Sequence, residues 1–351
     1  MNHGHQEQNI ALAEPYAQVP QVPSILPDCL FMALEYAAQR ELGIPDFSRL
    51  YGEHSFLFDA KQGLGLDIVL GRYEAQHYFA IEDGHIQGYI ADKLFRLYGL
   101  VVKVRRFEHV AELSAYLDSA LANNNPVICE FSVKHVPYRL SDYHKYYGYH
   151  IVSFKQRLPA QQGYVVDDAA KQNIVIAQQD YVDSFADVLK HEGGVQVFTL
   201  ERQQVTQPRL SVAIARVEVE QNLCGLFSED DRIGVKGLTS FSDYISVINE
   251  LDGPFVIPGI WVFALQRAST RLWLKWLQLD LPQLQLADIC LPMQLQLLAL
   301  EKQWKEIEYL SQLSTRISHL KGATIYQRLQ AVIELEKQSI WFWPQLQERL
   351  R

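Results

Sequence analysis

A chain of 351 residues with 48% hydrophobic and 11% aromatic content can bury the cores of two ordinary domains, which excludes a disordered or fibrous protein. The net charge of −9 is concentrated early, with 16 Lys/Arg against 24 Asp/Glu in residues 1–200 and 16 against 17 in residues 201–351, and an acidic first part repels nucleic acid. Four cysteines, Cys29, Cys129, Cys224 and Cys290, stand far apart with no CxxC pair, which argues against a disulfide framework or a structural zinc site and leaves free thiols as the expectation.

Residues 1–26 are polar and then punctuated by Pro15, Pro20 and Pro23, the pattern of an extended arm. They lack the basic-then-apolar order of a secretion signal. The most apolar run, Phe255 to Leu265, is short and interrupted by Pro258 and Gly259, so no membrane span is expected and the protein reads as cytoplasmic. The first helix starts at Pro27-Asp28-Cys29, with Asp28 as N-cap, Leu30, Leu34 and Ala37 at helical spacing, and Gly43 and Pro45 as its stop. Cys29 therefore sits in a first turn, where backbone N–H groups and the helix dipole favour a thiolate.

From Tyr51 to Asp67 the chain reads as loop and short strand-like pieces, followed by a helix over Ile90–Tyr98 and a strand over 99–106. A helix over Val110–Ala122 ends at Asn123-Asn124-Asn125-Pro126, and Val127–Phe131 is a buried strand that makes Cys129 a core residue. A tyrosine-rich loop through Tyr138, Arg139 and Lys145 leads into a strand at Tyr149–Phe154 with His150 at its start. Gly163–Asp167 is the next strand, Asn173–Ile176 its hairpin partner, Gln179–Lys190 a helix and Val195–Leu200 a last strand. The polar stretch 201–208 reads as a linker, which divides the chain into domains 1–205 and 206–351, the second a helical bundle with helices over 241–251, 261–279, 297–310 and 326–337.

A helix-borne cysteine, a histidine opening a strand and an aspartate ending the next strand follow the papain-like order. Each residue type has its own chemistry to perform. Cys29 attacks a carbonyl, His150 moves protons near neutral pH, and Asp167 orients the imidazole. Hairpin pairing brings His150 and Asp167 to one sheet edge, with Asp168 as a competitor because a one-residue register change exchanges their faces. Singly, a cysteine is more often a small buried hydrophobe and a histidine a satisfied core residue.

Cys29 with its helix, Gln62-Gly63-Leu64-Gly65, Val136-Pro137-Tyr138-Arg139, Tyr143-His144-Lys145 before His150, and Val165-Val166-Asp167 resemble the butirosin biosynthesis protein H family over residues 25–200. The resemblance implies an α+β fold: a papain-like domain related to the double-glycine leader peptidases, followed by an all-α domain. It implies an acyltransferase that takes an acyl group from the phosphopantetheine thioester of an acyl carrier protein onto Cys29 and passes it to a small-molecule amine or hydroxyl in specialised-metabolite biosynthesis. By that analogy Cys29, His150 and Asp167 are catalytic, and no cofactor is bound because the phosphopantetheine arrives on the carrier. Gln18 and Gln21 depart from the spacing of the leader peptidases' oxyanion glutamine, which leaves the Cys29 backbone N–H as donor.

Two other readings stand beside it, a cysteine peptidase or amidohydrolase with the same triad and a non-catalytic binding protein. A helical second domain that excludes water favours transfer. Docking of an acidic carrier on this acidic chain calls for a local basic patch, either Lys103, Arg105 and Arg106 or Arg139 with Lys145 near His150, and Tyr138, Arg139 and Lys145 are the expected substrate-binding residues. His135 and His144 lack a third ligand at zinc-like spacing, so no metal is expected. The leucine- and tryptophan-rich helices also suit a homodimer.

Overall fold

Helix α1, Cys29–Leu42, is buried at every residue from Leu30 to Gln39, so it runs through the core and carries no solvent face along that length. In the computed structural model the described residues are 29–44, 46–59, 63–65, 80–137, 149–158, 163–168, 171–248, 260–314 and 322–351. A two-stranded ribbon, β1 (Leu57–Asp59) and β2 (Gly63–Gly65), follows α1. The main sheet contains β3 (Ala80–Glu82), β4 (His85–Gln87), β5 (Leu100–Phe107), β6 (Val127–Ser132), β7 (Tyr149–Arg157), β8 (Tyr164–Asp168), β9 (Lys171–Ile176) and β10 (Val195–Arg202). Its eight strands lie in the order β3-β4-β5-β10-β6-β7-β8-β9, antiparallel at each pairing, which defines an α+β fold.

Period-2 alternation divides the central strands between two cores. Ile128, Ile151 and Phe198 join α1 and helix α2 (Tyr89–Tyr98) in one. Cys129, Val152 and Val197 join α3 (Val110–Ala122) and α4 (Gln178–Glu192) in the other. After β10 the described chain is helical: α5 (Val212–Leu226), α6 (Gly234–Ile248), α7 (Ile260–Asp280), α8 (Ala287–Ser314), α9 (Gly322–Ile340) and α10 (Phe342–Leu350). The first core continues through these helices without a break and includes Phe263, Trp273, Trp304 and Trp343.

Residues 51–56 form no helix or strand, yet all are buried, so their backbone groups must find partners elsewhere. The later helices supply them. Glu218 accepts from the Gly52 N–H at 3.0 Å, and Asn222 accepts from the His54 N–H and donates to the Gly52 carbonyl, each at 2.9 Å. Thr270 donates to the Glu53 carbonyl, and Arg267 donates to that of Ser55 at 3.1 Å. Gly52 lies so close to the Trp273 ring that a Cβ there would overlap it.

The His54 side chain closes this network. Trp343 donates its indole N–H to Nδ1 at 3.0 Å, so the imidazole proton belongs on Nε2, which faces Glu336 at 3.2 Å. Glu336 also pairs with Arg267 at 2.9 Å and accepts from Trp304 at 2.7 Å. Burial by itself raises the Glu336 pKa, but Arg267 and His54 outweigh it and lower it from the ordinary 4.5 to about 2. Its depressed pKa gives a stability contribution that is complete above about pH 4.5 and lost as pH falls toward 2. Replacing Glu336 with Gln strands a buried guanidinium, at about 3–5 kcal/mol. Urea unfolding of wild type and Glu336→Gln should show that gap at pH 7, and the gap should narrow only below about pH 4.5.

Candidate active site

Cys29 is the first residue of α1, and the first turn holds no acidic side chain to oppose a thiolate. Its exposure is intermediate, and α1 packs against β7, the strand that carries His150. The Asp28 cap lies outside the described residues. The other thiols differ from it physically. Cys129 is buried in β6, and desolvation, then the neighbouring Glu130 charge, push its pKa far up. Cys290 is buried in α8 and raised to about 12 by burial and then Asp288. Cys224 is exposed in the last turn of α5, at the opposite end of the helix from a first-turn position.

His150 is the second residue of β7 and only 4% exposed, while Asp168 ends β8 and is 2% exposed. The His150 Nε2 stands 2.7 Å from Asp168 Oδ1. That hydrogen bond assigns the proton to Nε2 and leaves the basic lone pair on Nδ1. A buried carboxylate also stabilises the imidazolium when Nδ1 takes a proton.

Asp167, the expected partner of His150, is not the residue brought to it. Asp167 pairs in register with Ser153 and leaves the opposite face of β8, where it accepts from Lys155 at 3.0 Å and from the Asn173 backbone N–H at 2.8 Å. The alternation of the strand gives the role of histidine partner to Asp168. Both carboxylates are buried, and each faces its own cation or imidazole.

Tyr138, Arg139 and Lys145 lie outside the described residues, as does His144. On β5, Lys103 pairs with Glu201 at 2.8 Å, Arg105 lies 4.7 Å from the Phe107 ring centroid, and Arg106 donates to the Glu192 carbonyl at 2.8 Å. His135 contacts Asp187 at 3.0 Å in the turn after β6. Partial burial tends to raise Asp187, but hydrogen bonds from His135 and Lys134 hold its carboxyl below the ordinary range.

The site is therefore a buried histidine–carboxylate pair on neighbouring strands of an α+β fold, with a first-turn cysteine on the helix packed against one of them. Residues 40–169 match the family model described as butirosin biosynthesis protein H, N-terminal, so over that stretch the chain is similar to this family. The match contains His150, Lys155, Asp167 and Asp168 and begins after Cys29. No curated protein matches the chain significantly.

Thiol environment predicts an order of reactivity. Brief iodoacetamide treatment of the native protein followed by peptide mass mapping should label Cys29 and Cys224, and should label Cys129 and Cys290 only after denaturant is added.

Proposed function

We propose that the chain is a papain-like, cysteine-dependent acyltransferase of antibiotic biosynthesis, with Cys29 as nucleophile, His150 as acid and base, and Asp168 as the residue that holds His150. The observation that carries this reading is the buried 2.7 Å contact between His150 Nε2 and Asp168, on a strand against which the Cys29 helix packs. The family match supports the biosynthetic setting, since the family is named for butirosin biosynthesis.

The donor is an acyl thioester on the phosphopantetheine of an acyl carrier protein. The Cys29 thiolate attacks the carbonyl, the C–S bond to pantetheine breaks, and His150 gives the departing thiolate a proton. An amine or hydroxyl acceptor then attacks the acyl-cysteine, His150 Nδ1 takes its proton, and Cys29 leaves as thiolate. The Cys29 backbone N–H, at the start of α1, is the oxyanion donor. Exchange of one thioester for another is nearly balanced in energy, so positioning and oxyanion stabilisation supply the acceleration.

Intact-protein mass spectrometry with a panel of acyl-pantetheine thioesters tests this directly. Wild type should gain the acyl mass and Cys29→Ala should not, while Asp168→Asn should acylate about 10²–10⁴-fold more slowly. Asp167→Asn should retain more of the rate than Asp168→Asn. Consumption of thioester without acceptor and without an accumulated adduct would indicate hydrolysis, and no adduct or consumption by folded protein would overturn the reading.

A further inference from the structure

Two irregularities in strand pairing flank Asp167. On one side Phe154 pairs with Val166 but Gln156 with Val165, which leaves Lys155 as the extra residue on β7. On the other side Val166 pairs with Ile174 but Asp168 with Lys171, so β9 carries an extra residue opposite Asp167. Asn173 lies in that bulge in the left-handed region at φ 57°, a conformation asparagine adopts at small cost.

The bulged residues close on the same carboxylate. Lys155 Nζ donates to Asp167 Oδ1 at 3.0 Å and to Asn173 Oδ1 at 2.8 Å, and the Asn173 N–H donates to Asp167 Oδ1 at 2.8 Å. The result is a ring of three residues from three strands, in which Lys155 is 4% and Asp167 2% exposed. Asp168 is the next residue of β8 and faces His150 from the other side of the sheet.

From this we infer that Lys155 and Asn173 are positioning residues for the His150–Asp168 pair, an inference that rests on reading this pair as catalytic. The ring fixes the backbone of β8 at the residue before Asp168 and so fixes the direction in which Asp168 points. It also neutralises Asp167, which would otherwise place a second uncompensated carboxylate beside the first. Loss of the Lys155 charge leaves Asp167 buried without its cation, and the strand must relax to hydrate it.

The test reads the hydrogen-bonded imidazole N–H proton of His150 by NMR on the full chain, assigned by its absence in His150→Gln. It needs no substrate, so its outcome is independent of whether Cys29 is acylated. Lys155→Met should shift this proton upfield and speed its exchange with solvent on the order of tenfold, the scale of weakening one charge-assisted hydrogen bond. Lys155→Arg should restore the wild-type signal. Val197→Ala, a core truncation elsewhere in the sheet, controls for general destabilisation and should leave the signal in place. An unchanged His150 proton in folded Lys155→Met would overturn the inference. Should Lys155→Met fail to fold, Asn173→Gly keeps every charge and permits the left-handed backbone, and an unaltered His150 proton there would overturn it equally.

Discussion

The structure depends on a buried stretch of backbone that has no secondary structure of its own. Residues 51–56 pass through the interior, and water cannot serve their N–H and carbonyl groups there. Side chains from α5 and α7 do so, while Glu336 and Trp343, from α9 and α10, fix the His54 ring. An ion pair as deeply buried as Arg267–Glu336 adds little net stability over an apolar packing. What it does is join the helices to the buried loop, because the guanidinium, the carboxylate, His54 and the indoles of Trp304 and Trp343 meet in one hydrogen-bonded network.

That constraint reaches the candidate nucleophile through the chain between α1 and the buried loop. Glu35 on α1 accepts from the Phe47 N–H at 2.6 Å and ties down the turn that follows the helix. Arg49 then pairs with Asp280 at the end of α7 at 2.9 Å and stacks over Trp276, with its guanidinium 3.6 Å from the ring centroid. The helix that begins at Cys29 is thus fixed to the sheet through β7 and to the helical part through the segment just after it. A first-turn cysteine on such a helix has little positional freedom, as a nucleophile that must meet a carbonyl at near-attack distance requires.

Much of this is legible in the sequence because the strongest signals are periodic and local. The strands from residue 100 to 107 and from 127 onward, the helices around them and the helical character beyond Pro208 follow from alternation and 3.6-residue spacing. The β3–β4 hairpin is too short to show alternation, although Asp83-Gly84, with φ of 49° and 74°, is the turn chemistry of a tight hairpin. Helix α10 is hidden because Pro344 reads as a breaker, whereas in the first turn its absent N–H has no intrahelical partner to lose. The role of residues 51–56 is illegible for a different reason. The side chains that serve their backbone lie more than 160 positions away, as with Gly52 and Glu218, and no local pattern encodes such a contact.

The exchange of Asp167 for Asp168 shows where sequence reasoning reaches its limit at a site. Hairpin pairing correctly brings the end of β8 to the start of β7, but the choice between adjacent aspartates is a choice of sheet face. A face is set by register, and bulges on both neighbouring strands change the register at this point. Each carboxylate is then defined by what the opposite faces offer: imidazole for Asp168, ammonium and amide for Asp167. Two buried negative charges one residue apart are tolerable only because their partners stand on opposite sides of the sheet. The local departure from regular pairing is therefore the feature that separates the carboxylate facing Lys155 from the one facing His150.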